Sequence, residues 1–177
     1  MHLDVRTILV LRHPDRRQVL LLRRSPHKKL FPNLITGIGG AVELALGEGV
    51  DLDSAMLREL EEETRIHRAV ISDLRLRLAT VLSRDYAQVI LLWYTANLSI
   101  IPSDLSCTEG ELSFYPKADL PLDLMVPTAR EAIPFVISLS DDDSTTYSGV
   151  YDRKSFKLLT NHPIRTPNQA VSNVSNS

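Results

Sequence analysis

The stretch from Asp53 to Ile66 reads DSAMLRELEEETRI, and the rest of the chain is organised around it. Its acids Glu59, Glu62 and Glu63 are spaced i, i+3 and i+4, so an α-helix places them on one face. Three carboxylates this close repel one another, and without a counter-ion some of them would shift toward the protonated form. The spacing therefore predicts a helix that presents its acids to a divalent cation with a preference for oxygen ligands, Mg²⁺ or Mn²⁺.

The same helix carries an apolar stripe and a basic residue. Met56, Leu57 and Leu60 lie on an arc next to the acids, so the helix can pack against a core and still present its carboxylates. Arg58 directly precedes Glu59 in the sequence. A guanidinium placed there can orient the neighbouring carboxylates by charge-assisted hydrogen bonds.

Two glycines and a further acid precede the helix. The upstream residues are Gly39-Gly40-Ala41-Val42-Glu43 and then Gly47-Glu48, and the helical part continues as Arg58-Glu59-Leu60-Glu61-Glu62-Glu63-Thr64-Arg65-Ile66. Together they resemble the Nudix box, which runs Gly, five residues, Glu, seven residues and then Arg-Glu-apolar-x-Glu-Glu-x-Gly-apolar. The resemblance extends over roughly residues 5–139. It implies an α/β fold, the Nudix α/β/α sandwich around a mixed β-sheet, and hydrolysis of a nucleoside diphosphate linked to another group.

The resemblance also implies roles for individual residues. Metal ligands would come from the helix, the acid before it and a glycine carbonyl, namely Glu59, Glu62, Glu63, Glu48 and Gly40. Arg58 would orient Glu59. The general base would be Glu59 itself or an acid of a later loop, Glu109 or Glu111, and the sequence leaves these alternatives open.

Residues outside the box are candidates for substrate binding. Arg23 and Arg24 end a predicted strand, where basic side chains can meet phosphates, and Phe31 could stack on a base at the mouth of the site. Gly39 would let the backbone approach a phosphate or a metal closely. A simpler interpretation also exists: the arginines are a solvated strand end, and Phe31 is a core residue.

The box departs from its usual form in spacing and at two residues. Two extra residues precede Glu48, and two more separate it from Arg58, which would lengthen the loop and not the helix. Ala41 stands where MutT-type members often have a lysine that reaches a phosphate. Arg65 replaces the closing glycine, a position where φ > 0 commonly ends the helix. We therefore expect Arg65 to accept backbone strain, or the helix to end in another way.

Outside the box the sequence predicts a sheet and a second helix. Apolar, β-branched runs at 7–11 and 18–22 indicate a hairpin, and longer runs at 74–83 and 88–98 indicate two further strands. Trp93 is expected in the core. A second helix, ending near Leu139, would cover the face of the sheet opposite the acidic helix.

The length suggests one domain. The chain has 177 residues, enough for a single core, and we expect a Nudix domain over residues 1–160 followed by a disordered tail over 161–177. Near the end of the domain, the run Asp141-Asp142-Asp143 is expected as an exposed turn.

Composition limits the partners. Lys and Arg number 20 against 22 Asp and Glu, which leaves no electrostatic footprint for a nucleic-acid polymer. Cys107 stands alone, so no intramolecular disulfide can form. The sequence has no signal-peptide pattern and no apolar run of membrane-spanning length. We expect a cytoplasmic monomer or homodimer that binds a small nucleotide and does not bind a membrane.

The substrate depends on loops outside the box. Our first expectation is a MutT-type nucleoside triphosphate pyrophosphatase, which gives a nucleoside monophosphate and pyrophosphate. One alternative is a hydrolase of ADP-ribose, nucleotide sugars or dinucleoside polyphosphates, for which Tyr86 stands near the usual position of a tyrosine. Another is a non-catalytic Nudix regulator that binds a nucleotide without cleaving it, suggested by Ala41 and Arg65.

Overall fold

The computed structural model describes residues 2–43, 51–84, 87–159 and 162–164. Two α-helices and nine strands lie in these ranges. In chain order they are β1 (His2–Arg12), β2 (Gln18–Arg24), β3 (Ile35–Thr36), α1 (Leu52–Glu63), β4 (Ile71–Arg84), β5 (Ala87–Leu98), β6 (Ser106–Cys107), β7 (Gly110–Pro116), α2 (Pro127–Ser138), β8 (Tyr147–Val150) and β9 (His162–Pro163). Short 3₁₀ turns stand at Arg68–Val70 and Leu122–Leu124.

The strands form one mixed sheet. Their order is β6-β7-β2-β1-β5-β4-β8-β9, and β3 pairs with β2. The predicted hairpin is present, because β1 and β2 pair antiparallel. The neighbours β1 and β5 are parallel, as are β4 and β8, and parallel neighbours require long crossover connections. The crossover between β1 and β5 contains α1, and the one between β4 and β8 contains α2.

The two helices cover opposite faces of the sheet, which confirms the expected sandwich. Successive residues of a strand point to opposite faces. Leu9 and Leu11 of β1 accordingly pack in one buried cluster with Met56 of α1, and the intervening Val10 packs in the other with Ile133 of α2. Each fully buried side chain of this kind contributes about 1.5–3 kcal/mol. The acidic helix is thus fixed by its apolar side.

Trp93 confirms its expected core position. Its side chain is fully buried, and its indole N–H donates to the hydroxyl of Thr80 at 2.9 Å. The buried donor is therefore satisfied inside the α2-side core.

Helix α1 begins with an ordinary cap. Of the two acids that the sequence offers, Asp51 is the N-cap, and its carboxylate accepts from the backbone N–H of Ser54 at 3.0 Å. This bond satisfies one of the free donors of the first helical turn.

The helix ends without the closing glycine. Its last residue is Glu63, and Thr64 is extended, with φ −127° and ψ 176°. The Thr64 hydroxyl donates to the Leu60 carbonyl at 2.7 Å and accepts from the Ile66 N–H at 3.0 Å. Arg65 is not among the described non-glycine residues with positive φ. The expected strain at Arg65 therefore does not arise, because a threonine side chain ends the helix in place of a left-handed residue.

The segment after α2 is held by arginines. Asp141 and Asp142 form an exposed turn, as expected, and Asp141 also makes ion pairs with Arg12 and Arg16. Arg77, 1% exposed, donates to backbone carbonyls of Ser140 and Asp143. Burial lowers the pKa of both Arg12 and Arg77. The cluster fixes the chain where it leaves the helix and turns toward β8.

The last described strand falls at the start of the expected tail. β9 pairs antiparallel with β8 and continues the same sheet. Residues from 165 onward lie outside the described part of the chain, so a disordered tail there stays a prediction.

We predict that Thr64→Val lowers the free energy of unfolding by about 1–2 kcal/mol, because it removes a buried hydroxyl that makes two hydrogen bonds. Urea denaturation would measure the change. Thr64→Ser should restore most of the lost stability.

Arg65→Gly should lower the free energy of unfolding by less than about 1 kcal/mol, since it relieves no strain and only adds freedom to the unfolded chain. A gain in stability for Arg65→Gly would contradict the described helix end.

Candidate active site

The two glycines of the box bring backbone against the acidic helix. A Cβ on Gly40 would overlap the Glu59 carboxylate and lie 2.7 Å from its Cδ. Gly39 has a φ of +145°, and a Cβ there would lie 2.9 Å from the Thr7 carbonyl carbon. The Gly40 carbonyl accepts from the Thr7 N–H at 3.0 Å. Larger residues would separate β1 from α1 at this point.

Arg58 bridges two acids of the helix. One guanidinium nitrogen lies 2.8 Å from Glu59 Oε1 and 3.3 Å from the Ala41 carbonyl, and the other lies 2.7 Å from Glu62 Oε2. Glu59 is 9% exposed, whereas the Glu62 side chain is 60% exposed. Arg58 thus contacts the acid that it was predicted to orient.

Glu63 lies in a partly buried and acidic environment. Burial, together with the charges of Glu109 and Glu59, raises the pKa of Glu63 from 4.5 to about 7. The Gly39 N–H donates to this carboxylate, and the charge of Lys28 also favours its ionised form, but neither offsets the burial. Oε2 of Glu63 is buried and has no hydrogen-bond partner among the residues that the structure describes. The charges of Glu109 and Glu59 therefore disfavour the ionised form of Glu63.

The turn between β6 and β7 carries Glu109 to the end of α1. The Thr108 N–H donates to the Glu63 carbonyl at 2.9 Å, and the Ser25 N–H donates to the Glu109 carbonyl at 2.9 Å. The Glu109 carboxylate forms an ion pair with Lys28. These contacts place Glu109 beside Glu63.

Glu111 and Arg23 lie apart from this group. They stand opposite each other in the register of β7 and β2, and both are exposed. Of the two acids that the sequence proposed for this loop, Glu109 is the one that acts on Glu63.

The acids fit a divalent cation. Among the residues that the structure describes, no three His, Cys, Asp or Glu side chains already form a metal-binding arrangement. Oε2 of Glu63, which has no hydrogen-bond partner among the described residues, is however an available oxygen donor, and the Gly40 backbone lies against the Glu59 carboxylate. A cation there would stabilise the charged form of Glu63. The all-oxygen donor set suits Mg²⁺ or Mn²⁺.

A cavity of about 150 Å³ is lined in part by Gly39. Three of the predicted substrate-binding residues, Arg24, Phe31 and Gly39, line it. One acidic and one basic residue, Asp4 and Arg6, also line it. The other lining residues are apolar or carry a hydroxyl group: Thr7, Ile8, Leu30, Thr36, Gly37, Leu82, Val89, Leu91, Val126, Thr128 and Phe156. Gly39 therefore takes part both in the acidic site, through its bond to Glu63, and in the lining of this cavity.

Some residues of this region were missed by reasoning from the sequence. Lys28 stands in a basic run before Phe31, and this run was the available signal for a cation near the site. Thr7 and Phe156 gave no signal, because their places in the cavity depend on sheet register and on a distant segment. Glu48 and Tyr86 lie outside the described residues, so their roles stay predictions.

The family comparison agrees with this geometry. The model of the NUDIX domain matches residues 2–136, more than half of the chain. The chain belongs to the Nudix family. It is a Nudix pyrophosphohydrolase acting on phosphoanhydride bonds, and the family generally uses divalent metals. None of the curated proteins compared with the chain matches it in sequence. Within the described ranges, no helix is both long and apolar enough to cross a membrane.

Solved structures of Nudix proteins share the fold. The mutator MutT protein of Bacillus halodurans is 18% identical, with a TM-score of 0.59 over 93% of this chain and 99% of that chain. The Nudix hydrolase of Nitrosomonas europaea is 13% identical, with a TM-score of 0.64 over 85% and 79%. The dihydroneopterin triphosphate pyrophosphohydrolase of E. coli is 20% identical, with a TM-score of 0.59 over 78% and 100%.

We predict a pH-dependent loss of stability caused by Glu63. The pKa of Glu63 is higher in the folded protein than its ordinary value, so between pH 4.5 and about 7 the folded state holds more protons than the unfolded chain. The destabilisation of the folded state by Glu63 is absent below this window and grows as the pH rises through it. In EDTA, the melting temperature of the wild type should therefore fall across this window relative to that of Glu63→Gln.

The same experiment has a metal arm. At pH 8, excess Mg²⁺ should raise the melting temperature of the wild type more than that of Glu63→Gln, since the ionised carboxylate gains a counter-ion. For the pH arm, parallel curves of melting temperature against pH for the two proteins would show that Glu63 ionises normally.

Proposed function

We propose that the chain is a MutT-type nucleoside triphosphate pyrophosphohydrolase that uses Mg²⁺ and releases a nucleoside monophosphate and pyrophosphate. The observation that carries the proposal is the place of Gly39. Its N–H donates to Glu63, and the same residue lines the cavity. A nucleotide with its base in the cavity would therefore have its phosphates directed toward the acids.

The carboxylates of α1 would hold the cation. Glu59 and Glu63, with the Gly40 carbonyl, supply oxygen donors, and the exposed Glu62 is a further ligand on the same helix. When bound, the cation supplies charge to the phosphate oxygens and lowers the pKa of the attacking water. Arg58 keeps Glu59 in place, because its guanidinium also binds the Ala41 carbonyl.

We assign the general base to Glu109. It faces Glu63, and Lys28 holds its carboxylate, whereas Glu111 is exposed on β7. A base must lie within hydrogen-bond reach of the water that it deprotonates, and a residue beside the cation ligands meets this condition best. Glu59 is engaged by Arg58 and is better suited to the metal.

Basic residues near the acids would receive the phosphates. Arg24 lines the cavity, and its Nε donates to the Leu30 carbonyl at 3.1 Å, which leaves the terminal nitrogens for other contacts. Lys28 supplies a cation close to the acids, although Ala41 occupies the position of the usual lysine. The absence of strain at Arg65 also removes one reason to regard the box as inactive.

A hydrolysis panel tests the proposal. Nucleoside triphosphates, ADP-ribose, a nucleotide sugar and a dinucleoside polyphosphate would be incubated with Mg²⁺ or with EDTA, and the products separated by ion exchange. We expect a triphosphate to give monophosphate and pyrophosphate with Mg²⁺ alone. Release of single orthophosphate, or faster cleavage of ADP-ribose, would overturn the substrate assignment. Tight binding without cleavage of any compound would favour the regulator.

Two glutamates of α1 provide matched variants for this assay. We predict that Glu62→Gln lowers kcat about 10²-fold or more, since it removes a charge from the site. Glu61→Gln should leave kcat within about threefold, because Glu61 points to a different face of the helix from Glu59 and Glu63 and is bound by Arg68. Equal effects of the two changes would mean that Glu62 is not a ligand.

We predict that Arg58→Ala lowers kcat more than it changes KM. Its contacts include Glu59, Glu62 and the Ala41 carbonyl, so the variant loses groups that place the acids. Steady-state kinetics on the best triphosphate would measure both constants. A tenfold rise in KM at unchanged kcat would instead make Arg58 a phosphate-binding residue.

A further inference from the structure

We propose that Phe156 is a specificity-determining residue which, with Phe31, holds the nucleotide base and favours a single six-membered ring, as in a pyrimidine. The inference rests on the proposed function, because it assigns the cavity to the base of a nucleotide. Phe156 belongs to the segment after α2, outside residues 2–136 that match the Nudix domain. The selectivity would thus come from a part of the chain that the family model does not include.

The turn that presents Phe156 is built around Asp152. The Asp152 carboxylate accepts from the N–H groups of Lys154 at 3.1 Å and Ser155 at 2.7 Å, and the Asp152 carbonyl accepts from the Phe156 N–H at 2.9 Å. The Asp152 N–H in turn donates to the Lys157 carbonyl at 2.8 Å. These bonds close a tight loop that leaves Phe156 little freedom to move away.

The turn is also anchored to α2. The hydroxyl of buried Tyr151 donates to the Thr128 carbonyl at 2.9 Å, and the Leu158 N–H lies 3.4 Å from the Glu131 carboxylate. Thr128 itself lines the cavity. The loop is therefore fixed to the wall that it helps to complete.

Both aromatic residues of the cavity have strained backbones. Phe31 has a φ of 53° and Phe156 a φ of 58°. Bulky side chains rarely occupy this left-handed region, and such strain is found where a ligand site requires a particular side-chain position. Both side chains are half-buried and pack against the core on the α2 side. They are placed to contact a planar group that enters the cavity.

The polar groups inside the cavity suit an uncharged ring with donors and acceptors. Thr7, Thr36 and Thr128 bring hydroxyls that can donate or accept, and Thr7 Oγ1 is buried without a partner in the described part of the chain. The charged pair Asp4 and Arg6 is mutually satisfied at 2.9 Å. Such hydroxyls accommodate several base edges, so discrimination falls to size and shape.

The size of the cavity points to one ring. Its volume is about 150 Å³, and an apolar cavity of about this size accommodates benzene. A pyrimidine ring fits within it, whereas a fused purine would have to leave its second ring outside or displace an aromatic wall. Removal of the Phe156 ring would enlarge the space on one side and reduce this preference.

Calorimetric binding of nucleoside monophosphates tests the inference. These compounds contain no phosphoanhydride bond, so their binding is measured without hydrolysis. The wild type would be titrated, in the presence of Mg²⁺, with the monophosphates of uridine, cytidine, adenosine and guanosine and with ribose 5-phosphate. We expect the two pyrimidine nucleotides to bind at least about tenfold more tightly than the purine nucleotides and the base-free sugar phosphate, a difference of the size that base stacking provides.

The variants separate a role in base recognition from a role in folding. Phe156→Ala should weaken pyrimidine binding about tenfold, leave ribose 5-phosphate within about twofold, and bring the pyrimidine and purine affinities close together. Phe156→Tyr should restore the preference, and Phe156→Leu keeps an apolar side chain if the alanine variant does not fold. Leu159→Ala, an exposed change in the same segment, is the matched control and should alter nothing.

Two results with the wild type would overturn the inference: purine nucleotides that bind as tightly as pyrimidine nucleotides, or nucleotides that bind no better than ribose 5-phosphate. Two results with Phe156→Ala would do the same: unchanged affinity for the pyrimidine nucleotides, or an equal loss of affinity for these nucleotides and for ribose 5-phosphate. Failure of the hydrolysis panel with the expected binding pattern would refute the proposed function alone. Triphosphate hydrolysis without a base preference would refute the role of Phe156 alone.

Discussion

The close contact between the Gly40 backbone and the Glu59 carboxylate is the constraint on which the rest of the site depends. It requires a residue without a side chain, and it brings β1 and α1 together so that the helix lies along the sheet. Once the helix is there, Glu63 and the turn that carries Glu109 follow by backbone hydrogen bonding. The charges of Glu59 and Glu109 disfavour the ionised form of Glu63, and a divalent cation beside these acids would offset that repulsion.

Local patterns predicted most of the fold. The alternation of apolar residues in β1 and β2, and the helical spacing in α1, both report a buried face, and burial of that face decides where each element lies. The parallel pairing of β8 with β4 could not be derived in this way, because it depends on a connection through α2 and on arginines distant in sequence from Asp141. The way in which α1 ends was not predicted either, because the sequence does not show that a threonine hydroxyl takes the place of the closing glycine.

The site was predictable where its chemistry is local. Glu59, Glu63 and Arg58 follow from spacing on one helix, whereas the choice of Glu109 over Glu111 required the register of β7 with β2. The cavity was the least accessible feature, because residues from β1, β5, α2 and the last loop meet there only after the sheet has formed. Phe31 could be named as a candidate from the sequence, and Phe156 could not.

The strand β8 has a protective role that is separate from the chemistry of the site. It lies along β4, which would otherwise present a long row of unpaired backbone groups at the edge of the sheet. Exposed edges of this kind recruit strands from other molecules. The loop between α2 and β8 supplies the carbonyls of Ser140 and Asp143, which accept hydrogen bonds from the buried guanidinium of Arg77. A gene shortened to the end of α2 would therefore yield a chain with an open edge and an unpaired buried charge, prone to self-association before any question of substrate arises.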